Sequence, residues 1–269
     1  MLHRLLLVGF PKSAKTGSLA SLLDAGYKLR YLDFDGNAQS ILGYAQPSSL
    51  ERFERIACMD KVEVAPNGAF KLGTCEGIPT AMSALNKWPS DGTNASEWGS
   101  QDVLLVDSGS SMAESALRRN TVLNGRGGKR PQFGDYQAAH DTITNFLLLA
   151  KSSLNCHLIF ITHLFLMGPD FSAPDIENDS LAERVIERKL EGADNVPWRL
   201  APKTVGRALH DLGKHFSGVI YAKSRGPARK LLLRPTDGVD AGVPIPGLPW
   251  ELDVKDGLAK IFAAAPPSN

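Results

Sequence analysis

The chain has 269 residues, 43% of them apolar, and its 30 Lys and Arg nearly balance 29 Asp and Glu. That length and apolar content support one large core or two small ones and exclude a disordered chain, and the charge balance excludes global basicity as a source of nucleic-acid affinity. Cys58, Cys75 and Cys156 are odd in number and lack CxxC or Cys/His ligand spacing, which argues for ordinary thiols in a reducing compartment rather than a disulfide or zinc framework.

The opening "MLHRLLLVGF" holds an apolar run too short for a signal peptide or a membrane span, so Leu5 to Phe10 reads as a buried first strand. Lys15 to Ala25 is small, apolar and helix-compatible. Between them, Gly9-Phe10-Pro11-Lys12-Ser13-Ala14-Lys15-Thr16 fits the phosphate-loop pattern G-x-x-x-x-G-K-[ST] at every place except Ala14, where glycine is expected. The chemistry needs inward backbone N–H groups, a lysine for the β- and γ-phosphates and a hydroxyl for Mg²⁺. Lys15 and Thr16 supply the last two. If position 14 requires positive φ, alanine there costs about 1–2 kcal/mol, enough to weaken binding about tenfold without abolishing it. The competing reading is a Gly/Pro turn with accidental lysines. Placement after a strand and before a helix favours a nucleotide site made of Gly9, Pro11, Lys12, Ser13, Ala14, Lys15, Thr16 and Gly17.

"KLRYLDFDGN" reads as a second strand, with Asp33 and Asp35 on one face at its carboxyl end. Asp35 is the preferred candidate for polarising an attacking water; turn-capping aspartates before Gly36 are the alternative. The stretch 51–100 is irregular, with a small hairpin around Asn67-Gly68 and a short helix near Pro79 to Trp88. "DVLLVDSGSSM" is a third strand ending in Asp107, the place of a Walker B carboxylate that holds Mg²⁺ opposite Thr16, with Ser108 beside it to orient the metal's water shell.

The segment Arg118 to Tyr136 carries Arg118, Arg119, Arg126, Lys129 and Arg130 before its first acid, Asp135, among several glycines. It reads either as a mobile basic loop that grips a nucleic-acid backbone, with Phe133 or Tyr136 stacking on a base, or as a solvated charged loop. A helix from Tyr136 to Leu154 leads into the strand "CHLIFITHL". Its His163 is placed either to sense a γ-phosphate or as a satisfied strand-end histidine. Residues 164–214 form a long excursion of mixed charge. "HFSGVIYAKSRGPARKLLLRPTDG" reads as two strands joined at Arg225-Gly226-Pro227; Arg225 is either an arginine finger for a neighbouring subunit or a hairpin-tip charge. A last amphipathic helix and a frayed "PPSN" close the chain.

The predicted fold is α/β: a mostly parallel sheet with helices on both faces and a carboxyl-terminal antiparallel hairpin. One domain over 1–269, with insertions at about 51–100, 117–135 and 164–214, is the simplest organisation.

Taken together, "GFPKSAKT", "LDFDGN", "VLLVDSGSSM", "GDYQAAHDTITNFLLLAKSSLNCHLIFITHL" and "FSGVIYAKSRG" resemble the phage-encoded single-domain RecA-like ATPases, the core-only recombinase and annealing proteins of the AAA-type P-loop class. The resemblance runs from the first strand to about Arg234. It implies a RecA-like core that binds ATP and Mg²⁺, hydrolyses ATP, assembles as a ring or filament and acts on single-stranded DNA in recombination or annealing. A single-strand-binding protein is an implied partner and the host cytoplasm the implied location. By this resemblance Lys15 and Thr16 match the phosphate-loop residues, Asp107 the Walker B carboxylate and His163 the γ-phosphate sensor. Ala14 departs from the pattern, and "VDAGVPIPGLP" lacks the expected Lys/Arg pair. Two other classes share a phosphate loop: a small-molecule kinase or other nucleoside-triphosphate transferase, and an assembly protein that binds nucleotide without hydrolysing it.

Overall fold

Alternate residues of each central strand feed two different cores, one on either face of a single sheet. The computed structural model of the protein describes residues 2–167, 199–203, 212–225, 227–235 and 240–264. In chain order the strands are β1 (Arg4–Gly9), β2 (Lys28–Asp33), β3 (Phe53–Ala57), β4 (Val62–Val64), β5 (Phe70–Leu72), β6 (Asp102–Asp107), β7 (His157–Met167), β8 (Arg199–Pro202), β9 (Gly218–Arg225), β10 (Ala228–Leu232) and β11 (Glu251–Asp253). The helices are α1 (Lys15–Ser18), α2 (Ala20–Asp24), α3 (Gln39–Leu42), α4 (Gly77–Asn86), α5 (Gly109–Leu123), α6 (Phe133–Ser153) and α7 (Gly257–Ala264).

Among the described residues the main sheet has nine strands in the order β11-β10-β9-β1-β7-β6-β2-β3, with β8 paired to the far end of β7. From β9 to β3 all neighbours are parallel; β10, β11 and β8 run antiparallel to their partners. Strand β7 therefore lies between β1 and β6. Register sets Gly9 opposite His163, Asp33 opposite Asp107 and Asp107 opposite Ile161, so the strand ends that carry polar side chains are level at one edge.

Leu6, Val8, Leu32, Leu104, Val106 and Phe160 pack with residues of α4, α5 and α6. Leu5, Leu7, Leu29, Leu105, Ile159 and Ile161 pack on the opposite face with Leu19, Leu22, Leu23 and α7. Each such side chain contributes about 1.5–3 kcal/mol by leaving water. Close contact between layers has a local requirement: a Cβ on Gly109 would sit 1.9 Å from Phe160 Cε1, so only glycine lets α5 start against β7.

The expected α/β architecture, with its mostly parallel sheet and terminal antiparallel strands, is what the chain forms. The hairpin at Asn67-Gly68 is β4–β5, and the short helix before Trp88 is α4. The reading of 51–100 as irregular needs correction, because Phe53–Ala57 is the edge strand β3. Its sequence Phe-Glu-Arg-Ile-Ala, with two charged residues in the middle, lacks the continuous apolar run that marks the central strands. Most of the 164–214 excursion, Gly226 of the hairpin turn and the "PPSN" tail lie outside the described residues. Among the described residues no helix is long and apolar enough to cross a membrane.

Candidate nucleotide site

The segment after β1 leaves the sheet in a conformation that its residues only partly favour. Gly9 is required by packing, since a Cβ there would lie 2.5 Å from the carbonyl oxygen of Ala222 on β9. Lys12 and Ala14 both have φ 65, the left-handed region, and they are the only described non-glycine residues that do. Position 14 is thus one where glycine would be free of strain, and alanine bears a cost of about 1–2 kcal/mol. Ala14 then caps α1, its carbonyl accepting from Ser18 N at 2.9 Å. Lys15 is buried, and its Nζ donates to the carbonyls of Gly9 and Phe10, each at 2.8 Å.

A cleft of about 460 Å³ opens over this loop, lined by Pro11 to Gly17 together with Asp35, Asn37, Ser40, Tyr44, Asp107, His163 and Arg229. Thr16 Oγ1 donates to Asp107 Oδ2 at 2.5 Å, and Tyr31 OH donates to the same oxygen at 2.9 Å. Burial pushes the Asp107 carboxyl up to about 6, against the donation from Thr16, and burial together with Asp107 pushes the Tyr31 phenol well above its ordinary value. The Asp35 charge raises this carboxyl further, while Tyr31 and the Lys15 ammonium act the other way.

Asp35 accepts from Ser108 Oγ at 3.0 Å and pairs with His163 Nε2 at 3.1 Å. Burial alone would raise its carboxyl, but hydrogen bonds from His163, Ser111 and Ser108 outweigh that and hold it below the ordinary range. Asp33 has a different place. It is fully buried, accepts from the backbone N–H groups of Asp35 and Gly36, and takes Arg55 Nε at 2.7 Å, so it closes the turn that aims Asp35 into the cleft. Ser108 caps α5 by accepting from Ser111 N. The backbone of His163 is clamped as well: its N–H donates to Ser110 Oγ, and its carbonyl accepts from Lys203 N.

The structure brings Lys12, Ser13, Ala14, Lys15, Thr16, Asp35, Asp107 and His163 into one cleft, with Gly9 just behind it. Arg225 ends β9, in register with Ala228. The five residues read as a nucleic-acid grip stand elsewhere. Arg118 and Arg119 are on α5, and Arg118 pairs with Asp60 and Glu114. Arg126 pairs with Asp135, whose buried carboxylate also accepts from Asn124 Nδ2 and Gln132 N. These donors, the Gln132 backbone N–H first, hold the Asp135 carboxyl below its ordinary range. Between α5 and α6 the segment forms turns with Gly125 and Gly128 at positive φ, and of its cations Arg118, Lys129 and Arg130 are exposed, Arg118 within its ion pairs.

Tyr31, Tyr44 and Arg229 were not anticipated. Tyr31 left a trace, a polar tip inside an apolar strand that needs a partner. Tyr44 packs where a Cβ on Gly17 would come within 2.8 Å of its ring. Arg229 reaches the cleft only because of the sheet order, and no local pattern marks it.

No protein-family profile matches the chain, and no curated protein matches it in sequence. A solved structure titled as that of the RadB recombinase is similar over 85% of this chain and 79% of its own, at 13% identity and a TM-score of 0.39. A likeness that distant carries no function across.

Proposed function

We propose that the protein binds a nucleoside triphosphate with Mg²⁺ in this cleft and acts as a RecA-like ATPase on single-stranded DNA, in strand recombination or annealing. The observation that carries the nucleotide reading is the meeting of Thr16 and Asp107 beside Lys15. Hydroxyl and carboxylate oxygens suit a hard cation that takes its remaining ligands from water and phosphate. The Asp107 carboxyl, raised by burial and by the Asp35 charge, fits the same role. Among the described residues no cluster of three His, Cys, Asp or Glu is present, so Thr16 and Asp107 are the protein's contribution. When bound, the cation would neutralise charge on the phosphates.

In this reading the loop's backbone and Lys15 seat the phosphates, and the exposed face of Tyr44 offers a stacking surface for a base. Asp35, aimed into the cleft by the Asp33 turn, orients the attacking water. His163 beside it contacts the terminal phosphate, and its clamped backbone links that contact to β8. Single-stranded DNA, assembly into a ring or filament through Arg225, and an origin in phage rest on the sequence resemblance. Lys129 and Arg130 are the residues proposed to meet DNA.

The test is ATP hydrolysis by the purified protein with and without single-stranded DNA, with Lys15→Ala controlling for contaminating activity. Turnover that rises with DNA and vanishes in the variant is expected. ATP binding without turnover under any condition would leave a nucleotide-stabilised assembly protein instead.

A further inference from the structure

Lys12 stands exposed in the loop that floors the cleft, with its backbone in the left-handed region. Among the described residues that conformation occurs outside glycine only here and at Ala14. Strained backbone positions of this kind gather where the surrounding structure imposes them for a function. Ala14 contributes no polar group, so its conformation reflects what the loop demands of the backbone. Lys12 brings a charge to a position where glycine or asparagine would be held more easily.

The two loop lysines are placed for different tasks. Lys15 is buried and donates to two loop carbonyls, whereas Lys12 is exposed and has no ion pair among the described residues. Its ammonium is a compact charge with three donors on a flexible stem. The strongest anion that the proposed ligand brings to this cleft is its terminal phosphate, the group a diphosphate lacks.

From this we infer that Lys12 is a second phosphate-binding cation, supplied by the same chain, that grips the terminal phosphate of a bound nucleoside triphosphate and so distinguishes triphosphate from diphosphate. The inference rests on the nucleotide site proposed above. Because the cation belongs to the loop itself, the discrimination operates in a single protomer, before any neighbour contributes a residue.

Calorimetric titration of ATP and of ADP, each with Mg²⁺, into wild type, Lys12→Gly, Lys12→Gln and Lys12→Arg tests it, with the thermal midpoint of every variant measured alongside. Removing the charge with Gly or Gln is expected to weaken ATP about tenfold or more and ADP less than about threefold, the scale of a lost charge-assisted hydrogen bond. Lys12→Arg is expected to restore the preference for ATP. Lys12→Gly is expected to melt no lower than wild type, since glycine takes this φ without strain. Unchanged ATP affinity in the Gly and Gln variants, or equal losses for ATP and ADP, would overturn the role of Lys12 and leave the nucleotide site standing. Wild type that binds neither nucleotide would sink both readings.

Discussion

Thr16, at the start of α1, donates to Asp107, at the end of β6, at 2.5 Å across 91 residues of sequence. Strand β7 separates the two parent strands, so the contact depends on the loop after β1 reaching across the end of its neighbour. Tyr31 on β2 reaches the same carboxylate oxygen from the other side. Three strands thus converge on one buried anion.

That anion carries a cost. The Asp107 carboxyl titrates at about 6 in the folded protein against an ordinary value of 3.8, so between those values the folded state holds a proton that the unfolded chain has released. Its contribution to stability is fully present below 3.8 and is lost as pH rises through 6. Asp107→Asn should therefore be more stable at pH 7.5 by about 1 kcal/mol while losing Mg²⁺-dependent ATP binding. Thermal melts with and without Mg²⁺ and ATP check both halves; a lower midpoint for the variant would show that the charge is already compensated.

Ala14→Gly removes the strain of a non-glycine residue at φ 65. We expect a gain of about 1 kcal/mol in stability and tighter nucleotide binding by up to about tenfold. Denaturant melts and nucleotide titration read the two effects. A loss of stability would mean that the Ala14 methyl, which packs against the core around Leu19 and Leu22, outweighs the strain.

At the other end of the sheet, His3 N donates to His157 Nδ1, and both rings pack against Phe262 of α7. Burial lowers both imidazoles to about 4 from 6.5, so between these values the unfolded chain takes up protons that the folded one refuses. The stability they allow is present above pH 6.5 and lost as pH falls through 4. A fall of up to about 4 kcal/mol between pH 6.5 and 4.5 is expected for the two rings together, and His157→Asn should roughly halve it. Identical acid profiles for variant and wild type would remove this pair as the source.

Arg126 and its neighbours Lys129 and Arg130 should separate on substitution. Arg126→Ala removes the ion pair on Asp135 and should lower stability. Replacing Lys129 and Arg130 together should change stability by less than about 0.5 kcal/mol, weaken single-stranded DNA binding and reduce its dependence on salt. Unaltered DNA affinity and salt dependence in that double variant would move the nucleic-acid surface elsewhere.

Much of this was legible in the chain because it is local. Continuous apolar runs announced the central strands, the polar residues that end them announced one edge of the sheet, and the spacing from Gly9 to Thr16 announced the loop, since it is built from consecutive residues. Asp35 and Asp33 stand on one face of the same turn in sequence, and the preference for Asp35 had no local feature to separate the two. Only the packed structure turns one into the cleft and the other onto Arg55 and the backbone of its own turn. Edge strand β3 was hidden because one exposed flank leaves it no apolar run. The charge and glycine of the basic segment can be counted from sequence, whereas the inward orientation of Asp135, which takes Arg126 as partner, cannot. Tyr44 and Arg229 join the site through the position of α3 beside α1 and of β10 at the sheet's end, placements decided by which faces bury together rather than by any neighbour in the chain.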